Sequence, residues 1–337
     1  MQKAKCILGG GTPIGSCGLI FVCCSFDTNC VKTTDKKQSY FKSGNLNSAV
    51  TGCQYRIKLR NKNVCQVRLD FEELTLAPAI QTTASTQTGS YYVFSCANDS
   101  LRINPNTFGV PVLCGNNTKQ HLYIHVNQTS DPNSAVNIDI NLADRLNEVN
   151  KYLPKPSWKI KFTQLECPLK QHKFDLSKFG EIKNINNDFN VLAPQGAIQY
   201  FTENIGEIRS IGYNTTNAQL SSYPYLEHYT IAFRRPSDVC GIKFTPSYFN
   251  MANKTVSNLA TCIHYLYVPE YYSDGSKQLT GEKTSAVCFG KNPFYSLAPG
   301  PFYINVKTMN STVTATTNQQ GFLIDYELQT SCPYNNK

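Results

Sequence analysis

The sequence predicts an all-β chain folded as two antiparallel sandwiches in tandem and stapled by disulfides. Three observations carry this: a cysteine pattern that occurs twice, period-two alternation of apolar residues between those cysteines, and length. At 337 residues the chain exceeds one ordinary sandwich and accommodates two domains of ~100–150 residues.

The first half has Cys65 opening CQVRLDF, Cys96 in CANDSLRI, Cys114 in LCGNN, and Cys167-Pro168 after a last strand. The second has Cys240 opening CGIKF, Cys262 in CIHYLYVP, Cys288 in VCFGKN, and Cys332-Pro333. Order, flanking residues and terminal Cys-Pro repeat together, the mark of a duplicated unit. The intervening segments read as half-buried strands, in which every second side chain faces the core. Val136, Ile138, Ile140 and Leu142 alternate with polar residues, as do Trp158, Ile160 and Phe162. In the second half Phe302, Ile304 and Val306 alternate, then Phe322, Ile324, Tyr326 and Leu328. Residues 144–153 are predicted as a short helix. The Lys/Asn-rich stretch of about 169–190 reads as a linker or long loop.

Fourteen cysteines, an even count spread along the chain, point to a disulfide framework and an oxidising compartment. Asn98, Asn116, Asn127, Asn214, Asn253 and Asn310 each open an Asn-x-Ser/Thr sequon, which agrees with secretion and predicts glycosylation. The opening residues lack an uninterrupted apolar core for a signal peptide, so the chain is expected to begin inside a Cys-rich module. No apolar run approaches the 18 residues of a membrane span. The net charge of +9 is scattered, without the basic stripe that nucleic acid requires. No cysteine quartet has zinc-ligand spacing. His121 and His125, on an alternating strand, are expected on a polar surface. No HExxH or GxSxG is present, nor any other nucleophile–base signature, so no enzyme is expected.

The segments CQYRI (Cys53–Ile57), RLDF (Arg68–Phe71), CANDSLRI and Cys114-Gly115, with CIHYLYV, Cys288 and GFLIDY (Gly321–Tyr326) in the second half, resemble the CUB domain, a jelly-roll-like sandwich of extracellular proteins. Together with GGGTPIGSCGLIFVCCSF at the start, the pair is similar to arthropod secreted proteins with tandem CUB domains. The boundaries that follow are a Cys-rich segment 1–29, a first CUB domain 30–168, a linker 169–191 and a second, degenerate CUB domain 192–334. Ala197 and Ala232 stand where the arthropod form has cysteines, so one bridge is absent from the second domain.

The resemblance implies bridges Cys96–Cys114 and Cys262–Cys288, with Cys65–Cys167 and Cys240–Cys332 closing each sandwich and Cys30 joining Cys53. Cys6, Cys17, Cys23 and Cys24 then pair among themselves. It also implies Asp99 as a calcium ligand, since some CUB domains bind calcium at that position, with Asp131 a second acidic candidate. His264 holds the equivalent place in the second half and is a poor ligand for calcium. No other cofactor is expected. The implied function is a secreted, non-catalytic binding or adhesion protein, meeting an extracellular protein or glycan through its loops and Tyr-rich stretches such as Tyr223-Pro224-Tyr225 and Tyr271-Tyr272. A non-catalytic regulator of an extracellular protease cascade and a structural matrix component are the alternatives.

Overall fold

In the computed structural model the described residues are 2–8, 12–16, 21–25, 27–28, 30, 32–43, 46, 50–86, 89–106, 109–127, 134–167, 188–215, 221–251, 253–256, 259–273, 284–288, 290–309 and 320–332. They form two β-sandwiches, preceded by a short helix at Lys3–Leu8 and a hairpin of Thr12–Ser16 with Val22–Ser25. Most of the stretch expected as a linker, residues 169–187, lies outside the described residues, as does Asp131.

In the first sandwich one sheet has the order Ser100–Asn104, Ala135–Asn141, Gly52–Lys58, Lys32–Thr34. The facing sheet runs His121–His125, Val64–Thr75, Ser157–Glu166, Gln38–Lys42, Asp27–Thr28. The second sandwich repeats eight of these positions. Tyr265–Pro269, Phe302–Lys307, His228–Phe233 and Ala197–Phe201 neighbour one another in one sheet. Phe294–Ser296, Gly241–Asn250, Gly321–Gln329 and Ile205–Arg209 do so in the other. A separate hairpin leaves each sandwich between its fourth and fifth repeated strands, at Ile80–Thr86 with Gly89–Ser95 and at Asn253–Val256 with Leu259–Cys262. The duplication read from the cysteines is thus a duplication of strand order.

Alternation explains why these segments are strands. Val67, Leu69 and Phe71, like Trp158, Ile160 and Phe162, lie within 2% of complete burial, and their neighbours face outward. Full burial of one such side chain contributes about 1.5–3 kcal/mol. The Trp158 indole donates to the Tyr55 hydroxyl at 3.0 Å, which donates to the Lys42 carbonyl at 3.1 Å, so the large polar rings of this core are satisfied.

Two expectations are corrected. The pairing is not wholly antiparallel: Lys32–Thr34 runs parallel to Gly52–Lys58, and Ala197–Phe201 parallel to His228–Phe233. Residues 144–153 are a chain of turns, not a helix. Asp144 and Asn147 use their side-chain oxygens to accept the N–H groups of Leu146 and Val149, at 2.9 and 3.0 Å. Such Asx turns compete with the helical hydrogen-bond ladder.

The structure joins Cys30 to Cys53, Cys65 to Cys167, Cys96 to Cys114, Cys240 to Cys332 and Cys262 to Cys288. Ala197 and Ala232 are both buried on the paired strands Ala197–Phe201 and His228–Phe233.

Candidate functional site

The junction of the two sandwiches is built from the strand His121–His125 and the glutamine Gln66 beside it. His121–His125 ends its sheet, and Ala197–Phe201 ends a sheet of the second sandwich. The outer backbone edge of Ala197–Phe201 therefore needs partners, and side chains of the first sandwich supply them. The Tyr200 N–H donates to His121 Nε2 at 3.0 Å, and His125 Nε2 lies 2.8 Å from the Ala197 carbonyl. Just upstream, Gln66 brackets Ala193: its Oε1 accepts the Ala193 N–H at 3.0 Å and its Nε2 donates to the Ala193 carbonyl at 2.8 Å.

These contacts assign the histidine protons. His121 accepts at Nε2, so its neutral ring carries hydrogen on Nδ1. His125 faces a carbonyl, so it carries hydrogen on Nε2. Both residues are buried, which corrects the expectation of surface histidines: the polar face of their strand meets a second domain instead of water. Burial lowers both pKa values, that of His121 to about 3.

Further along, the domains approach backbone to backbone. A Cβ on Gly115 would stand 3.0 Å from the Gly212 Cα, and one on Gly212 would stand 3.2 Å from the Cys114 carbonyl oxygen. Both glycines have positive φ, 71° and 78°, a conformation that side chains disfavour. The Asn117 side chain accepts the Gly212 N–H at 2.9 Å, and the Tyr225 N–H donates to the Phe94 carbonyl at 2.8 Å. Tyr223 and Tyr225, expected as exposed anchors, are buried. The Tyr223 hydroxyl lies 2.9 Å from His264 Nδ1, which ties it to the interior of the second sandwich. Tyr271 and Tyr272 are half-buried.

Asp99 is fully buried. Its carboxylate accepts the N–H groups of Ala77 and Ala143 at 2.7 and 3.0 Å, and the Arg145 guanidinium grips it with two bonds of 2.8 and 2.7 Å. Calcium requires six to eight oxygens with carboxylates turned toward it. Here both Asp99 oxygens face a cation already, so the ion could enter only by displacing Arg145. These residues do not fit calcium. At the matching place in the second sandwich, His264 is fully buried between the Tyr223 hydroxyl and the Met309 carbonyl, 2.7 Å from its Nε2. Burial lowers its pKa to about 4.

Of the sequon asparagines, Asn127 is exposed and Asn98, Asn116 and Asn214 are half-buried. Asn253 lies on a strand, and Asn310 falls outside the described residues. Among the described residues no cluster of three His, Cys, Asp or Glu side chains has metal-binding geometry, and no helix is long and apolar enough to cross a membrane.

The family model of the animal CUB domain matches residues 194–329. The second sandwich is a CUB domain. It is an interaction module, without catalytic machinery of its own. No curated protein matches the chain. Among solved structures, the chain is similar to the CUB1-EGF-CUB2 domains of rat MASP-1, with 12% identity over 89% of this chain and 100% of that one and a TM-score of 0.25. It is similar to the human MASP-1/3 CUB1-EGF-CUB2 domain (12%, 87% and 100%, TM-score 0.27) and to the full extracellular region of zebrafish Gpr126/Adgrg6 (10%, 88% and 36%, TM-score 0.26).

What the sequence could not reveal was that the two strand ends face each other. The period-two pattern of HLYIHV marks one polar face, and either solvent or another domain satisfies that pattern equally. Gln66 gave no signal either, since it sits opposite His125 on the same outward-reading face, next to the inward Val67.

Proposed function

We propose that the chain is a secreted, non-catalytic binding protein whose two CUB-type sandwiches act as one rigid body toward an extracellular protein or glycan. The observation that carries the reading is the junction: an open strand edge of the CUB domain is satisfied by buried side chains of the first sandwich. A flexible tether would leave those backbone groups to water. The disulfide bridges and the sequons support an extracellular setting, and the Arg145 clasp on Asp99 supports binding without calcium.

The test is affinity capture from extracellular fluid, using protein made through the secretory route, beside a Gly115→Val variant whose side chain would push against Gly212 across the junction. A ligand retained by the wild type and lost by the variant is the expected result. Equal retention by the isolated CUB domain would remove the rigid pair from the reading. Turnover of a peptide, ester or glycoside that persists through purification would overturn the non-catalytic assignment.

A further inference from the structure

Beside the junction lies a recess of about 320 Å³ whose wall includes Lys119, His121, Gln199, Phe201, Glu207 and Arg209. Two of its polar groups are held in fixed orientation with bonding capacity left over. Gln199 is 2% exposed. Its Nε2 donates to Gln120 Oε1 at 3.1 Å and to the His121 carbonyl at 3.3 Å. Two acceptors on that nitrogen fix the amide, and its Oε1 lies buried behind the wall without a hydrogen-bond donor. His121 spends Nε2 on the Tyr200 N–H, so the remaining Nδ1–H is committed as a donor. Arg209 donates to the Thr118 carbonyl and stands 4.0 Å from Glu207, and its guanidinium keeps further N–H groups. Lys119, exposed on a turn residue with φ 68°, adds a second cation.

The recess therefore offers one fixed neutral donor, two cations against one carboxylate, and the half-buried Phe201 ring. Cations and the imidazole N–H call for an anion with acceptor oxygens. Glu207 calls for hydroxyl donors. An aromatic wall suits an apolar C–H face. One chemical unit carries all three features: a sugar bearing a carboxylate.

We infer that this recess binds a single acidic sugar unit, of the uronate or sialate type, with its carboxylate toward Lys119 and Arg209 and a hydroxyl toward Glu207. The inference deepens the binding-protein reading and rests on it. Neither sandwich alone completes the site, because Lys119 and His121 come from the first and Gln199 and Arg209 from the second.

The experiment is ligand-observed NMR on the full chain after glycosidase treatment, with glucuronate and N-acetylneuraminate as probes and glucose, acetate and N-acetylglutamate as comparators. Saturation transfer to at least one acidic sugar is expected, with glucose and acetate at least tenfold weaker; the two probes distinguish a uronate from a sialate source. Arg209→Gln should weaken binding about tenfold and the exposed Lys119→Gln about fivefold. Lys119→Gln should leave the thermal midpoint unchanged, so its loss of binding is not a loss of fold. Three outcomes overturn the inference: no acidic sugar binds, acetate binds as well (an adventitious anion only), or N-acetylglutamate binds as well, which assigns the recess to acidic peptides. If all probes fail while affinity capture still retains a ligand, the recess falls and the binding-protein reading stands.

Discussion

The two sandwiches share a strand plan and secure it differently. In the first, the residue entering the strand Ser100–Asn104 is a buried carboxylate held by a guanidinium, and three bridges cross the fold. In the CUB domain, the residue entering Tyr265–Pro269 is a buried neutral imidazole, and two bridges remain. Ring packing is common to both: Phe41, Tyr55 and Phe162 stack at 4.2 and 5.0 Å in the first, and Phe201, Phe233, Phe244 and Tyr326 pack through ring centroids 4.8–5.7 Å apart in the second. The comparison teaches that one topology tolerates either a charge clasp or a neutral imidazole at the same place, and each leaves its own dependence on conditions.

The long bridges should show the largest effect. Cys65–Cys167 and Cys240–Cys332 close loops of 102 and 92 residues, each worth roughly 4–5 kcal/mol in the chain-entropy treatment. Removing Cys240–Cys332 by paired Ala substitutions should unfold the CUB domain first. Removing Cys65–Cys167 should leave the first sandwich with two bridges and a smaller drop in midpoint. Calorimetry checks the order, and a larger drop for the Cys65–Cys167 variant reverses the comparison.

Next comes the clasp. Arg145→Met strands the Asp99 carboxylate in the interior, an expected loss of about 3–5 kcal/mol by denaturant titration. The double variant Arg145→Met with Asp99→Asn should recover part of it. Equal losses in both would show that Arg145 acts through packing alone.

Acid separates the domains more subtly. His121 and His264 have pKa values lowered to about 3 and about 4. Their unfolded forms, near 6.5, thus bind protons first, and stability present above pH 6.5 is lost as pH falls. Glu227 opposes this: burial raises its pKa to about 7, so between pH 7 and its ordinary value of 4.5 the folded state binds the extra proton. Two histidines against one glutamate leave a net loss of about 1.4 kcal/mol per pH unit, or about 2 kcal/mol between pH 6.5 and 5. His125, also lowered, acts in the same direction. Glu227→Gln should steepen the slope, and chemical denaturation across pH 5–7 measures it; a flatter slope in that variant reverses the assignment.

The smallest effect expected is that of calcium. Millimolar calcium or a chelator should leave the thermal midpoint of the wild type unmoved. A calcium-dependent rise would mean that Arg145 yields its place to the ion.

The strands and core faces of both halves were legible in the sequence because alternation and burial follow one period. Trp158, Ile160 and Phe162 needed no tertiary information. What escaped were residues whose role is set by distant chain. Asp99 and Arg145 lie 46 residues apart, and no local pattern says that a guanidinium fills the carboxylate's cavity. His121 read as a surface residue because the sheet end facing it comes from 79 residues away. Residues 144–153 form turns because the Asp144 and Asn147 side chains intercept backbone N–H groups that a helix would need.

The capped edge of Ala197–Phe201 also bears on the order of synthesis. A ribosome delivers the first sandwich before the CUB domain, so Gln66, His121 and His125 are in place when residues 193–201 emerge. The earlier domain then serves as a template that covers the later strand as it forms. Made alone, the CUB domain would expose a row of unpaired N–H and C=O groups, the surface on which chains add to one another strand by strand.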